Sequence, residues 1–340
     1  MSDLEIALEK NNFTVITCGG GVNFTALIYE WYKRKMPRPD LIIFADTGSE
    51  RPRTYQHITI MNNWLFSVGY PQITICHVQD AKTGDQVKIH DLCLKTKTLP
   101  PPAFGFKSCS LRFKTEQVDK FLNNYTPTKN VWGKYTRLSQ IKNKVTRVIG
   151  FDAGEDHRVG NFSCEKYDVV FPLVEWDIDR EECEEIIKDS PLPKPIKSSC
   201  YMCPNMKTEE IMEMAENDPE SLNAALAVED AYLSSDNAKG RHVDVELLRN
   251  IETNELIGLV NDMDKIKLNY LLGIKPTPKT YEDEFDLSSS ELKATAYISK
   301  EKVYQPSKIR GLGRTHSWRE VLANPQLNVG NDANCVCSEG

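Results

Sequence analysis

Two groups of residues in this chain have types and spacings that could do chemistry. Cys200 and Cys203 stand in C-x2-C spacing, which lets two thiolates grip one tetrahedral metal ion or two corners of an iron-sulfur cluster. A single pair of this kind is only moderately specific, and buried inert thiols are the competing interpretation, the one that suits Cys18, Cys76 and Cys93. The second group is Gly19-Gly20-Gly21. Consecutive glycines let the backbone approach a ligand closely, and a following helix N-terminus offers unpaired N-H groups and partial positive charge, so an anion is the expected guest. A tight strand-to-helix turn without ligand explains the same glycines. Asp46, Thr47, Gly48 and then Glu50-Arg51 end a second apolar run, bringing a carboxylate and a guanidinium beside the glycine loop.

The elements that must position these groups follow from hydrophobic periodicity. FTVITC (13 to 18) reads as a strand, the glycines as a loop, and VNFTALIYEWYKRK as a helix. LIIFAD (41 to 46), TYQHITIMNNWLFSVG and ITICHV (73 to 78) continue as strand, helix, strand. VTRVIG (145 to 150) and YDVVFPL (167 to 173) supply a fourth and fifth strand, with helices at SLRFKTEQVDKFLNN and DREECEEIIKDS. Alternating strands and helices imply parallel pairing by right-handed crossovers, hence an α/β fold with helices on both faces of the sheet. Ligands of such sheets sit beyond the carboxyl ends of the strands. Residues 80 to 108 contain Pro100-Pro101-Pro102 and read as an irregular flap. Residues 207 to 233 read as acidic and helical, with a further helix near 243 to 252. A functional boundary is placed at 210/211, giving a nucleotide-binding part with the cysteine site (1 to 210) and a mainly α-helical C-terminal region with its tail (211 to 340).

Composition excludes several classes. The 340 residues carry 42 Lys+Arg against 49 Asp+Glu, a net charge of -7, with 40% hydrophobic residues. That argues for a folded protein and against broad charge-driven binding to nucleic acid. No run approaches the roughly 20 apolar residues of a membrane helix, and the polar, acidic start MSDLEIALEKNN does not read as a signal peptide, so a cytoplasmic protein is expected. Ten cysteines are too few per residue for a disulfide scaffold and point to metal ligation or redox chemistry in that compartment.

The glycine loop fits neither the G-x-G-x-x-G dinucleotide fingerprint, because Asn23 and Phe24 stand at its end, nor the Gly-Lys-Ser/Thr ending of the P-loop. C-G-G-G-V-N-F-T-A-L (18 to 27) with F-A-D-T-G-S-E-R-P (44 to 52) instead resembles the PP-loop, or N-type, ATP pyrophosphatase superfamily. The match is to its PAPS-reductase-like branch, which carries S-G-G-K-D-S-T-A-L and, one strand later, D-T-G-x-x-x-P. Phage-type members reading G-G-G-V-x-S-T-A-L are closer still. K-S-C-S-L-R-F-K (107 to 114), I-G-F-D-A-G-E-D-H-R (149 to 158), F-P-L-V-E-W-D-I-D-R-E-E-C (171 to 183) and S-S-C-Y-M-C-P-N (198 to 205) resemble further elements of the branch, in its order. Beyond about 215 only G-L-G-R-T-H-S-W (311 to 318) and the closing C-V-C resemble tail signatures.

The resemblance implies a five-stranded Rossmann-like sheet that binds ATP with Mg2+ and splits it between the α and β phosphates, adenylating a nucleotide, base or nucleic-acid acceptor. It places Gly19, Gly20, Gly21 and Asn23 around the phosphates, and Phe44, Asp46, Thr47 and Gly48 along the nucleotide pocket. Arg112, Lys114 and Arg158 become the candidate catalytic cations, with solvated charged turns as the plainer alternative. The motif's Lys, Asp and Ser are here Val22, Asn23 and Phe24, so substitutes such as Arg51, Lys107, Arg112 or Lys114 supply charge, or turnover is impaired. Cys109 and Cys183 join Cys200 and Cys203 as the implied ligands of a [4Fe-4S] cluster, with Zn2+ as the alternative and Cys164 in reserve. Sulfur transfer through the cluster is the purpose such adenylation would serve, and PAPS or APS reduction and a non-catalytic nucleotide-binding or inhibitory role are the functional alternatives. A homodimer and, for a phage-encoded chain, the host cytoplasm complete the expectations.

Overall fold

The computed structural model describes residues 1 to 104, 106, 108 to 160, 162 to 239, 241 to 244, 302 to 305 and 309 to 327. Thr14–Cys18 (β1), Leu41–Asp46 (β2), Ile73–His77 (β3), Val145–Val148 (β4) and Tyr167–Val170 (β5) form one sheet in the order β3-β2-β1-β4-β5, every pair parallel. All residues of β1 and β2 are buried, as the central strands of a sheet covered on both faces must be.

Alternation along the strands divides two cores. Ile16, Ile42 and Phe44 face a cluster built from Asp3–Lys10 (α1), Val22–Lys33 (α2), Pro52–Ser67 (α3) and Arg180–Lys188 (α9), while Val15, Leu41, Ile43 and Ala45 face Glu116–Asn124 (α6) and Thr126–Trp132 (α7). The sheet is therefore doubly wound. Between these elements lie Ile89–Thr96 (α4), the one-turn Ser108–Ser110 (α5) that runs through a π-helical turn, Leu111–Thr115, into α6, and Pro172–Glu175 (α8).

The segment 80 to 108 is more ordered than its prolines imply. α4 occupies 89 to 96, and Pro101–Phe104 is a 3-10 turn closed by Ala103 N donating to Pro100 O at 2.9 Å. Proline is tolerated there because the first residues of a helical turn have no N-H to contribute. The helical stretch 207 to 233 is two helices, Thr208–Asn217 (α10) and Pro219–Leu233 (α11). Asp218 leaves the helical region and caps Ser221 N, and Pro219 opens the second helix. The expected boundary at 210/211 falls within α10.

The described residues divide into two compact units, one made of those up to Ser234 and from Ile309 onward, the other of those between. The second contains Asp236–Lys239 (α12) and an antiparallel pair, Arg241–Asp244 (β6) with Lys302–Gln305 (β7). Of the helix expected near 243 to 252, residues 243 and 244 belong to β6 and the rest lies outside the described residues. In the first unit Trp318–Ala323 (α13) follows a turn pinned by Glu229, whose buried carboxylate accepts from Leu312 N (2.7 Å), Trp318 N (2.9 Å) and Arg319 N (3.3 Å). Burial raises the Glu229 pKa in spite of those three donors. No helix among the described residues is long and apolar enough to cross a membrane.

Candidate functional site

The glycine loop leaves β1 where the strand order reverses: the chain runs outward through β2 and β3, then returns to β4 on the other side of β1. In sheets of this kind that point is where a ligand is expected. Gly20 has φ +71, and a Cβ on it would lie 3.2 Å from Thr54 Cγ2, so the turn needs glycine for conformation and for space. Phe44, 1% exposed, packs beneath it. Gly21 caps α2 without a side chain, and its carbonyl accepts from Thr25 N at 3.1 Å and Thr25 Oγ1 at 2.9 Å. The same hydroxyl lies 2.8 Å from His57 Nε2. Burial pushes the His57 pKa down to about 4, which keeps the ring neutral at physiological pH.

The motif departures have distinct fates. Val22 and Phe24 are 2% and 1% exposed and belong to the core, so neither position offers a polar side chain to a ligand. Asn23 turns to the loop after β4: its Nδ2 donates to Asp152 Oδ2 (3.0 Å) and Glu155 Oε2 (3.2 Å), and its Oδ1 accepts from Arg180 Nη1 (2.7 Å). An amide does here what a carboxylate could not do so close to two others, bridging acids on one side and a guanidinium on the other. Arg158 joins the same cluster through its ion pair with Glu155, and its Cζ lies 4.0 Å from the centroid of the Phe151 ring. Its Nε and Nη2 are buried without an acceptor. His157 is exposed.

At the end of β2 the Asp46 carboxylate is fully engaged, accepting from Gly48 N (2.8 Å), Tyr55 Oη (2.7 Å) and Gln86 Nε2 (2.9 Å). It organises the turn, and Gly48 at φ +68 completes it. Burial, followed by this contact with Asp46, raises the Tyr55 pKa. The loop then pairs with the cysteine segment: Glu50 and Cys200 form an isolated antiparallel bridge, Tyr201 N donates to Ser49 O at 3.0 Å and Arg51 N to Ser199 O at 3.4 Å.

This pairing brings three of the four predicted cysteines to one place. Cys109, Cys200 and Cys203 line a small pocket of about 20 Å3 together with Thr47, Pro102 and Lys114. Thr47 Oγ1 lies 3.1 Å from Cys200 Sγ and donates to Glu50 Oε1 at 3.0 Å. Lys114 Nζ lies 3.5 Å from Glu50 Oε1, the two side chains 6% and 0% exposed. Arg112 is exposed, its Cζ 5.4 Å from the Phe113 ring centroid; two residues apart on a helical turn, Arg112 and Lys114 point to different sides. Cys183 is 0% exposed within the core cluster beneath α9 and does not line the pocket. Cys164 is exposed; Lys107, Cys335 and Cys337 lie outside the described residues. Among the described residues, no three His, Cys, Asp or Glu side chains converge closely enough to hold a single metal ion.

A larger cavity, about 390 Å3, opens at the first residue of α2, within the size range of small-molecule sites. Val22, Arg51, Arg180, Lys194 and Lys197 line it opposite Glu209, Glu210 and Glu213 of α10. Ser198, 3% exposed, has an unpartnered Oγ that would lie 3.0 Å from a Cβ on Gly21. Arg180, Ser198 and Glu213 were not singled out by motif. Each reaches the glycine loop or its cavity from far along the chain, and only the resemblance of 171 to 183 and 198 to 205 pointed near them.

No family model and no curated protein matches the chain. Among solved structures it is similar to phosphoadenylyl-sulfate (PAPS) reductase from Candida auris in its phosphate complex, at 15% identity over 57% of this chain and 80% of that one, TM-score 0.35. It is also similar to the U34-tRNA thiolase NcsA from Methanococcus maripaludis with its [4Fe-4S] cluster, at 13% identity over 71% and 82% of the two chains, TM-score 0.34. At such identities and scores the fold rests on the chain's own sheet order, and the site on its own residues.

Proposed function

We propose that the chain is an ATP pyrophosphatase-type enzyme that holds ATP by its phosphates at Gly19 to Gly21 and adenylates an acceptor, a nucleotide, base or nucleic acid, in the service of sulfur transfer. The observation that carries this reading is the backbone pairing of 49 to 51 with 199 to 201, which joins the loop after β2 to the cysteine segment, with Ser198 of that segment against Gly21. Backbone N-H groups at the start of α2 face the phosphates, and Arg51 and Arg180 stand in for the cation lost at Val22. They stabilise charge that builds on the oxygens as the acceptor attacks the α-phosphorus and pyrophosphate leaves. Asp152 and Glu155, which accept from Asn23, would be the carboxylates for Mg2+.

Cys109, Cys200 and Cys203 would hold the [4Fe-4S] cluster. Three thiols around one pocket fit a cluster, whose irons take their ligands further apart than a single Zn2+ does; Cys183, sealed in the core, does not fit as the fourth. When bound, the cluster supplies an iron site for sulfur or electrons. Lys114 lines the pocket and Glu50 pairs with it from behind. The nucleotide part is assigned to residues 1 to 210 and the supporting region to 211 to 340.

The direct test is pyrophosphate release from ATP and Mg2+ by the anaerobically purified chain, with nucleosides and RNA offered as acceptors. Release that Gly21→Ala abolishes supports the reading; ATP binding without release under every acceptor condition would favour the non-catalytic nucleotide-binding alternative, for which burial of Val22 and Phe24 is the specific argument.

A further inference from the structure

The 390 Å3 cavity at the head of α2 has two walls of opposite charge, and they are already joined. Arg51 Nη2 donates to Glu213 Oε2 at 2.6 Å, Arg53 Nη1 to Glu213 Oε1 at 3.0 Å, and Lys197 pairs with Glu210 at 2.9 Å. Lys194 is held by Glu184 at 2.6 Å, and Arg180 by Asn23. The Arg51 side chain is 5% exposed, and its Nε has no acceptor.

Nε and Nη2 form one edge of a guanidinium, built to grip two oxygens at once. Glu213 supplies an oxygen only to Nη2. Its other oxygen is taken by Arg53, and the side chain is 35% exposed, so it can swing to solvent without leaving a buried charge of its own.

We infer that Glu213 is a specificity-determining residue of the cavity at the first residue of α2, next to the glycine loop: it holds Arg51 in place of a phosphate, and only an anion with enough charge to displace it is admitted. The inference rests on the glycine loop being a phosphate site. The class of ligand it selects is a diphosphate or longer. Such an anion offers one phosphate to both Nε and Nη2 of Arg51, and a second to the remaining cationic wall at Arg180 and Lys194. A single orthophosphate must break the Arg51 to Glu213 pair with only one phosphate's worth of contacts in return.

The test is calorimetric titration of the full chain with pyrophosphate and with orthophosphate, in the wild type, Glu213→Gln and Glu213→Ala. The wild type should prefer pyrophosphate. Both variants should raise orthophosphate affinity roughly tenfold, the scale of one charge-assisted hydrogen bond, and raise pyrophosphate affinity less, so that the preference narrows. Circular dichroism on the same samples checks that the half-exposed substitution leaves the fold intact. Pyrophosphate binding that is sensitive to Gly21→Ala, with an orthophosphate-to-pyrophosphate ratio unmoved by either Glu213 variant, would overturn this inference and leave the phosphate loop standing. Absence of pyrophosphate binding in wild type and variants alike would overturn both.

Discussion

Glu50 and Cys200, 150 positions apart in sequence, pair backbone to backbone, and the side chain of one and the thiol of the other meet at the hydroxyl of Thr47. Glu50 also faces Lys114 within the protein. Removing one partner of a buried ion pair costs about 3 to 5 kcal/mol, because the other charge stays behind. Glu50→Ala should therefore lower stability in urea unfolding by roughly that amount, and Glu50→Leu combined with Lys114→Met should recover part of it. A loss below about 1 kcal/mol, the size of an exposed pair, would contradict the burial described here.

The cysteines divide by place. Cys109→Ser, Cys200→Ser and Cys203→Ser should each lower iron and sulfide content and bleach the visible absorption of anaerobically purified protein, since ligation needs every thiolate of the pocket. Cys183→Ala should keep iron, sulfide and colour while lowering the melting temperature, as a core truncation does. Loss of colour in the Cys183 variant would return that residue to the ligand set.

Stability should depend on pH through His57. Its pKa in the folded chain is lowered to about 4 by burial, against an ordinary value near 6.5. The unfolded chain therefore binds more protons between these values, so stability is fully present above about 6.5 and is lost as pH falls towards 4. The loss is on the order of 3 kcal/mol at most. Urea melts at several pH values should show this slope in the wild type and a shallower one in His57→Gln, whose amide can still meet Thr25. Equal slopes would show that His57 titrates normally.

Asp46→Ala tests a turn carboxylate. Two side-chain donors, on Tyr55 and Gln86, and one backbone donor lose their acceptor, which should cost roughly 1 to 3 kcal/mol. Tyr55 should also ionise at lower pH in an ultraviolet titration, because the carboxylate that helps to raise its pKa is gone. An unshifted tyrosine titration would mean the contact does not form in solution.

Much of this was legible in the sequence for physical reasons. Strands β1 to β5 announced themselves as short apolar runs because both sheet faces are covered, and Gly20 marked the tight turn after β1 because its φ of +71 and the nearness of Thr54 favour glycine. α4 stayed hidden in IHDLCLKT, too short to show its period among polar neighbours. The π-helical turn at 111 to 115 cannot be read from residue types, so Arg112 and Lys114 looked equivalent although one is exposed and the other buried. Cys183 matched a motif yet serves the core, since helix α9 turns its apolar stripe inward. Arg180, Ser198 and Glu213 act through contacts across the fold, which no local pattern encodes.

Tyr232 Oη donates to Ile309 O at 3.4 Å, and Glu229 holds the backbone of 312 to 319 against α11. Two stretches of the first unit, 77 positions apart in sequence, are thus held to one another. The first unit is a fold made from two separate stretches of one chain, so joining Ser234 to Ile309 by a few glycines should keep its sheet and cysteine pocket whole, with unchanged far-ultraviolet circular dichroism as the measure.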